Sequence, residues 1–217
     1  MAKDMVILGA GGFGREASLL IEEINADSNT RERFNLLGFI DGDQAKWGKK
    51  LRGYKVLGDW EALNELPGEV AVICVVGDPS AKKRMVEEAR ARGRKFVNLV
   101  HPGVGLGIDN EIGRGVLINK GCLLTTNIRI GDHVSINPGC GIGHDAIIED
   151  YTTLMWRVNV SGNVKIGEGC LIGTGATVLQ GKTIGKNSTI GAGAVVTKDF
   201  PEGSTLVGVP AIIAKQM

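Results

Sequence analysis

Aromatic residues are scarce in this chain: Phe, Trp and Tyr together make up 5% of 217 residues. Large ring-filled cores are therefore excluded as the main source of stability, and thin layers with little room inside are favoured. Charge of one sign is also missing. With 25 basic and 24 acidic residues the net charge is +1, which gives no electrostatic reason for nucleic acid or a membrane surface as partner. Histidine occurs three times and cysteine four times, as Cys74, Cys122, Cys140 and Cys170, with no CxxC pair. Neither a zinc site nor a disulfide framework follows. No apolar run approaches the roughly 18 residues that a membrane span needs. The N-terminus runs straight into a predicted strand without a signal peptide, so the expected location is the cytoplasm.

Glycine is abundant instead, at 33 residues, and its placement is periodic. From Val104 the sequence reads in blocks of six, VGLGID NEIGRG VLINKG CLLTTN and onward to AVVTKD. The third residue of all sixteen blocks is aliphatic, from Leu106 and Ile112 to Ile190 and Val196. The first residue is mostly small or β-branched, with Lys182 the clearest exception. A period of six fits neither an amphipathic helix nor an alternating strand. It fits a solenoid whose coil has three flat sides, each aliphatic residue stacking on its counterpart 18 residues later. Fifteen complete blocks make five coils, about 24 Å at the usual strand spacing. Gly107, Gly113, Gly131, Gly143, Gly167, Gly173, Gly185 and Gly191 are read as the turn residues of the corners. Three of the cysteines fall at inward first positions, where they serve as small apolar filler.

The first hundred residues alternate strand and helix. Residues 4–8 read as a buried strand, followed by Gly9-Ala-Gly11-Gly12-Phe13-Gly14 and a helix with Ala17, Leu20, Ile21 and Ile24 on one face. Strand, glycine turn and helix form a suitable phosphate cradle, although this motif alone is weakly specific. A second strand over 35–40 ends at Asp41, which lies further from the glycines than the ribose-binding acid of a nicotinamide-dependent fold. NAD is accordingly disfavoured. Asp59 caps a short helix, 70–76 is a central parallel strand, Asp78 and Pro79 start a further helix, and 95–99 is read as a fourth strand. The expected architecture is an α/β Rossmann-like domain over 1–100 followed by a β-helix over 101–217.

The repeat, with the tail Val196-Thr-Lys-Asp-Phe-Pro201 and Val207-Gly-Val-Pro-Ala211, resembles the hexapeptide-repeat, left-handed parallel β-helix acyltransferases. Preceded by a nucleotide-binding α/β domain, it looks like the bacterial nucleotide-sugar N-acetyltransferases and sialic acid O-acetyltransferases. The resemblance implies a homotrimer that uses acetyl-CoA and acts on a UDP-type amino-deoxy sugar; O-acetylation of a sialic-acid-type sugar is the alternative. It assigns His144 as general base and Asp145 as its orienting acid, where Glu is commoner in the family. Thr153 stands where a second histidine often meets the acetyl group. Thr174 and Ala192 would line the pantetheine groove, and Lys182, Lys186 and Lys198 would either meet the CoA phosphates or be ordinary solvated lysines. Gly11, Gly12, Phe13, Asp41, Gly42 and Gly77 would hold the sugar nucleotide, and the Gly162 N–H would hold the oxyanion. His101 is read as a structural junction residue, and His133, at a corner, as exposed. No metal is expected, since the repeat holds only two histidines. A non-catalytic nucleotide-binding scaffold is the reading from another class.

Overall fold

The computed structural model describes residues 2–30 and 32–214. The chain divides into two compact units, Met1–Pro102 and Gly103–Met217.

In the first unit, β1 (Lys3–Leu8), β2 (Phe34–Ile40), β3 (Lys50–Leu51), β4 (Tyr54–Gly58) and β5 (Ala71–Cys74) form one sheet in the order β3-β4-β2-β1-β5. β1, β2, β4 and β5 run parallel and β3 is antiparallel to β4. Met5, Val6, Ile7, Leu8, Val72 and Ile73 are fully buried, as central parallel strands require. The helices are α1 (Gly12–Ala26), α2 (Trp60–Glu65) and α3 (Pro79–Ala91). Asp59 and Asp78 cap the last two as expected, accepting hydrogen bonds from Glu61 N at 3.0 Å and Ala81 N at 2.7 Å.

Two elements differ from the sequence reading. The hairpin of β3 and β4 was hidden because its turn, Arg52–Gly53, needs two left-handed residues (φ 51° and 89°) and carries no Asn-Gly signal. The strand expected over 95–99 is reduced to a single parallel bridge between Phe96 and Val72, followed by β6 (Leu99–Val100). The Arg94 guanidinium explains part of this: it donates to the carbonyls of Leu66 (2.9 Å), Leu63 and Pro67, anchoring the chain beside the end of α2.

The second unit is a parallel β-helix. Fifteen two-residue strands stack on three faces, five rungs to a face, beginning at Glu111–Ile112, Leu117–Ile118 and Leu123–Leu124. Every partner lies 18 residues along: Ile130 pairs with Ile112 and Ile148, and Ile136 with Ile118 and Leu154. Ile118, Ile136, Ile148, Leu154, Ile166 and Ile172 have no exposed surface. Each such side chain contributes about 1.5–3 kcal/mol by leaving water. Leu106 breaks the pattern: it precedes the first paired strand, has no rung beneath it and is 44% exposed. Beyond the last coil, Thr205–Val207 adds a parallel rung and Ile212–Ile213 pairs antiparallel with it.

The corners also differ from expectation. The sixth residue of each block makes the turn: from Gly115 to Gly193 every sixth position has φ between 55° and 74°. Asn127, His133, Asp145, Tyr151, Arg157, Asn163 and Asn187 are the non-glycine members. The fourth-position glycines are needed for a different reason, which is close approach of the next coil. A Cβ on Gly143 would lie 2.5 Å from Gly162 N, and one on Gly173 2.6 Å from Ala192 N.

Among the described residues no helix is long and apolar enough to cross a membrane, and no group of three or more His, Cys, Asp or Glu side chains could hold a metal ion. All four cysteines are buried and free.

Candidate active site

His144 and Asp145 occupy one corner of the β-helix, where the chain leaves the rung Gly141–Ile142 and enters Ile147–Ile148. Asp145 sits in the left-handed region at φ 61°, which Asp tolerates better than most residues. That backbone turns its carboxylate beside the preceding ring: His144 Nδ1 and Asp145 Oδ2 are 2.7 Å apart. The other oxygen, Oδ1, accepts from Asn127 Nδ2 at 2.6 Å. The hydrogen bond to His144, then that from Asn127, holds the Asp145 carboxyl below its usual range. An ionised Asp145 accepts the hydrogen bond of an Nδ1–H tautomer, in which the Nε2 lone pair faces away from the carboxylate as an acceptor. Both side chains remain accessible, at 49% and 42% exposure.

The ring lies over Gly162, one coil further on. A Cβ at Gly162 would come 2.5 Å from His144 Nε2, 2.6 Å from Cε1 and 2.9 Å from Cδ2. Glycine at this position is what allows the ring to lie there. Thr126, His144 and Gly162 form one column, tied by Asp145 N to Thr126 O (3.1 Å) and Asn163 N to His144 O (2.7 Å).

Of the remaining candidates of this unit, Thr174, Ala192 and Thr153 fall elsewhere. Thr174 and Ala192 are exposed and stack in one column at a different corner, with Gly193 N donating to Thr174 O at 2.8 Å. Half-exposed Trp156 is one rung earlier in that column. Lys198 lies in the His144 column, its Nζ 5.5 Å from the centre of the Phe200 ring. Lys186 pairs with Glu202 at 3.4 Å. Thr153 is fully buried and is not brought to the His144 corner.

His133 is corrected. It is 1% exposed and stacks on Tyr151, with centroids 5.4 Å apart and planes 13° from parallel. Its ring also lies against Gly115, where a Cβ would overlap it. His101 Nε2 faces Glu23 of α1 at 3.6 Å, a structural contact.

In the first unit the loops after β1, β2 and β5 lie side by side at the carboxyl edge of adjacent parallel strands, where open α/β sheets bind ligands. Gly9 is held by its φ of 107° and by Val75 O, which a Cβ would approach to 2.9 Å. Gly11, Gly12, Gly42 and Gly77 instead face open space, with no atom within 4 Å of where a Cβ would stand, except the tip of Arg15 at 3.8 Å from Gly12. α1 starts here with no side-chain cap, and Phe13 is half-buried in its first turn. Such a helix end offers unfilled N–H groups to an anion.

Asp41 is more committed than the sequence suggested. Its Oδ2 accepts from Ala10 N at 2.7 Å, its Oδ1 from Asp43 N at 2.9 Å, and Lys46 Nζ lies 3.1–3.2 Å from both. Burial alone would raise its pKa, but these hydrogen bonds outweigh burial and hold it low. Asp41 thus braces the glycine loop. A cleft of about 220 Å³ opens beside it, lined by Ile40, Asp41, Gly42, Asp59, Trp60 and Met85.

Asn127 and Lys46 escaped the sequence reading. Asn127 was recoverable in principle, because it stands one 18-residue coil before Asp145. Lys46 carried no such signal.

Residues 4–89 match the family model of the PglD N-terminal domain, and residues 163–198 that of the hexapeptide repeat of succinyl-transferase. GDP-perosamine N-acetyltransferase of Escherichia coli O157:H7 is 31% identical over 176 residues, which span 81% of this chain and 77% of that one. Two solved structures share the whole architecture. PerB from Caulobacter crescentus, in complex with CoA and GDP-perosamine, superposes with a TM-score of 0.86 at 28% identity, covering 98% of this chain and 97% of that one. The acetyltransferase domain of PglB from Neisseria gonorrhoeae, in complex with acetyl coenzyme A, gives 0.86 at 28% identity over 99% and 100%.

Proposed function

We propose, from the premise that this chain belongs to the hexapeptide-repeat nucleotide-sugar N-acetyltransferases, that it transfers an acetyl group from acetyl-CoA to the amino group of a nucleotide-activated amino-deoxy sugar. The observation that carries this reading is the His144–Asp145 pair at 2.7 Å, with Nε2 free above Gly162. In the direct reaction the amine lone pair bonds to the thioester carbonyl carbon, and the C–S bond breaks. His144 Nε2 takes the proton that the amine loses and passes it to the departing thiolate. Asp145 stabilises the imidazolium formed in between. The N–H of Gly162 is the donor we assign to the carbonyl oxygen as negative charge develops on it. No acyl-enzyme is required, and the buried cysteines take no part.

The open column of Thr174 and Ala192 is the surface we assign to acetyl-CoA. It stands at a different corner from His144, so a groove holding both is best formed by two copies of the chain, in keeping with a trimer. In the first unit, Gly11, Gly12 and Phe13 would cradle the diphosphate, with Gly42 and Gly77 giving the nucleotide close access to backbone. Asp41 contributes by fixing the loop and not by direct contact. The Escherichia coli relative is named an N-acetyltransferase, which favours an amine over a hydroxyl acceptor. It is named for GDP-perosamine, so GDP-linked amino sugars stand beside the UDP-linked ones that the family resemblance suggested.

The test is release of CoA thiol with acetyl-CoA and a panel of UDP- and GDP-linked amino-deoxy sugars. One such sugar should turn over, and His144→Ala should abolish turnover while the variant stays folded. A His144→Ala protein with near-wild-type kcat would remove the base assignment; no turnover with any amino sugar would remove the substrate class.

A further inference from the structure

We infer that Asn127 is a positioning residue for the acetyl-transfer reaction, acting through the carboxylate of Asp145. This deepens the reading of His144 as general base and rests on it. A carboxylate rotates about its terminal bond over a broad range, so a single contact to His144 leaves Asp145 free to swing. The second contact, Asn127 Nδ2 to Oδ1 at 2.6 Å, removes that freedom and leaves Oδ2 aimed at the ring.

The brace is itself held. Asn127 and Asp145 are sixth-position residues of adjacent coils, both in the left-handed region at φ 55° and 61°. The rungs on either side are in register, Leu124 with Ile142 and Arg129 with Ile147. Asp145 N donates to Thr126 O, the residue before Asn127, at 3.1 Å. One coil earlier, Asp109 accepts from the Thr126 hydroxyl. Asp109 and Asp145 are the acidic groups at these corners; Asn127 stands between them and puts an amide, with no charge, against the Asp145 carboxylate. A carboxylate there would repel Asp145, and an aliphatic residue would leave Oδ1 to water.

The variant of choice is Asn127→Gly. The backbone at φ 55° suits glycine, so the substitution removes the amide without strain at the turn. The expected result is a kcat about tenfold lower, with KM for both substrates within twofold of wild type. In an Asp145→Ala background the same substitution should change kcat by less than twofold, because a brace with nothing to hold has no effect. Equal losses in the two backgrounds, or no loss in either, would overturn the inference. A second measurement needs no turnover: the ¹⁵N and ¹³C shifts of the His144 imidazole, one of only three histidines and assignable with His144→Asn. Asn127→Gly should lower the share of the Nδ1–H tautomer, and an unchanged tautomer would count against the brace. If His144→Ala remained active while the tautomer shifted in Asn127→Gly, the brace would stand and the base assignment would fall.

Discussion

Replacing Gly162 by Ala probes the candidate site with one methyl group. Gly162 does not have a left-handed φ, so alanine is admissible on backbone grounds. The new Cβ, however, would lie 2.5 Å from His144 Nε2 and 2.6 Å from Cε1. Non-bonded carbon contacts settle near 3.5 Å, so the ring must retreat by about 1 Å. A retreat of that size stretches the 2.7 Å contact to Asp145 beyond hydrogen-bond range. A 1 Å misplacement of a reacting group costs on the order of 100-fold in rate, equivalent to about 2.7 kcal/mol in the barrier. The ring is half exposed and swings toward solvent, so the fold loses no core contact. The melting temperature should stay within about 2 °C of wild type. The assay pairs kcat from CoA thiol release with calorimetry on the same preparation. A kcat within threefold of wild type would show that ring placement above Gly162 does not govern the chemistry. A large loss of melting temperature would show that the glycine serves packing.

Two further outcomes follow from the first unit. Lys82 is fully buried in α3, and burial pushes its pKa down to about 7. The unfolded chain keeps this proton up to roughly pH 10.4, so between pH 7 and 10 the unfolded state binds more protons and stability rises with pH, by at most about 1.4 kcal/mol per unit. Lys82→Met should flatten this slope, measured as urea midpoints at pH 7 and pH 9; an unchanged slope would assign the rise to other groups. Asp41→Asn replaces an acceptor of two N–H bonds and a lysine contact by a group that is half donor, and should cost about 1–2 kcal/mol after solvent screening. Because the folded carboxyl is held low, the stabilisation it gives wild type is present above the unfolded pKa and is lost as pH falls through the folded value. The difference between wild type and Asp41→Asn in melting temperature should therefore shrink in acid; a constant difference from pH 7 to pH 3 would contradict the role of the charge.

The β-helix was legible in the sequence because its period is long, unbroken and tied to one chemical demand, an aliphatic residue pointing inward at the third position of each block of six. The same arithmetic failed at Leu106, where the pattern continues but no rung lies beneath to cover it. Corner chemistry was less readable. Glycine at the fourth position and glycine at the sixth look alike in sequence, yet one answers to a neighbouring coil and the other to its own dihedral angles. His133 and His144 both sit at corners, and periodicity did not reveal that one ring is buried between Gly115 and Tyr151 while the other stands exposed over Gly162. Their block positions, sixth and fifth, separate them only once the geometry of the turn is known. In the α/β unit, Asp41 was placed correctly at the end of β2, but its partners Ala10 and Lys46 depend on loop conformation that composition does not encode.

The rung spacing makes this half of the molecule a ruler. Each insertion or deletion of 18 residues preserves the inward pattern and the corner angles, yet shifts everything beyond it by one graduation, about 4.8 Å. His144 and Thr174 are therefore separated by a whole number of residues along a rigid scale, and the distance between them can change only in steps. A length variant that adds one coil between His144 and Thr174 keeps the fold yet displaces the proposed base from the proposed acetyl-CoA surface by that step.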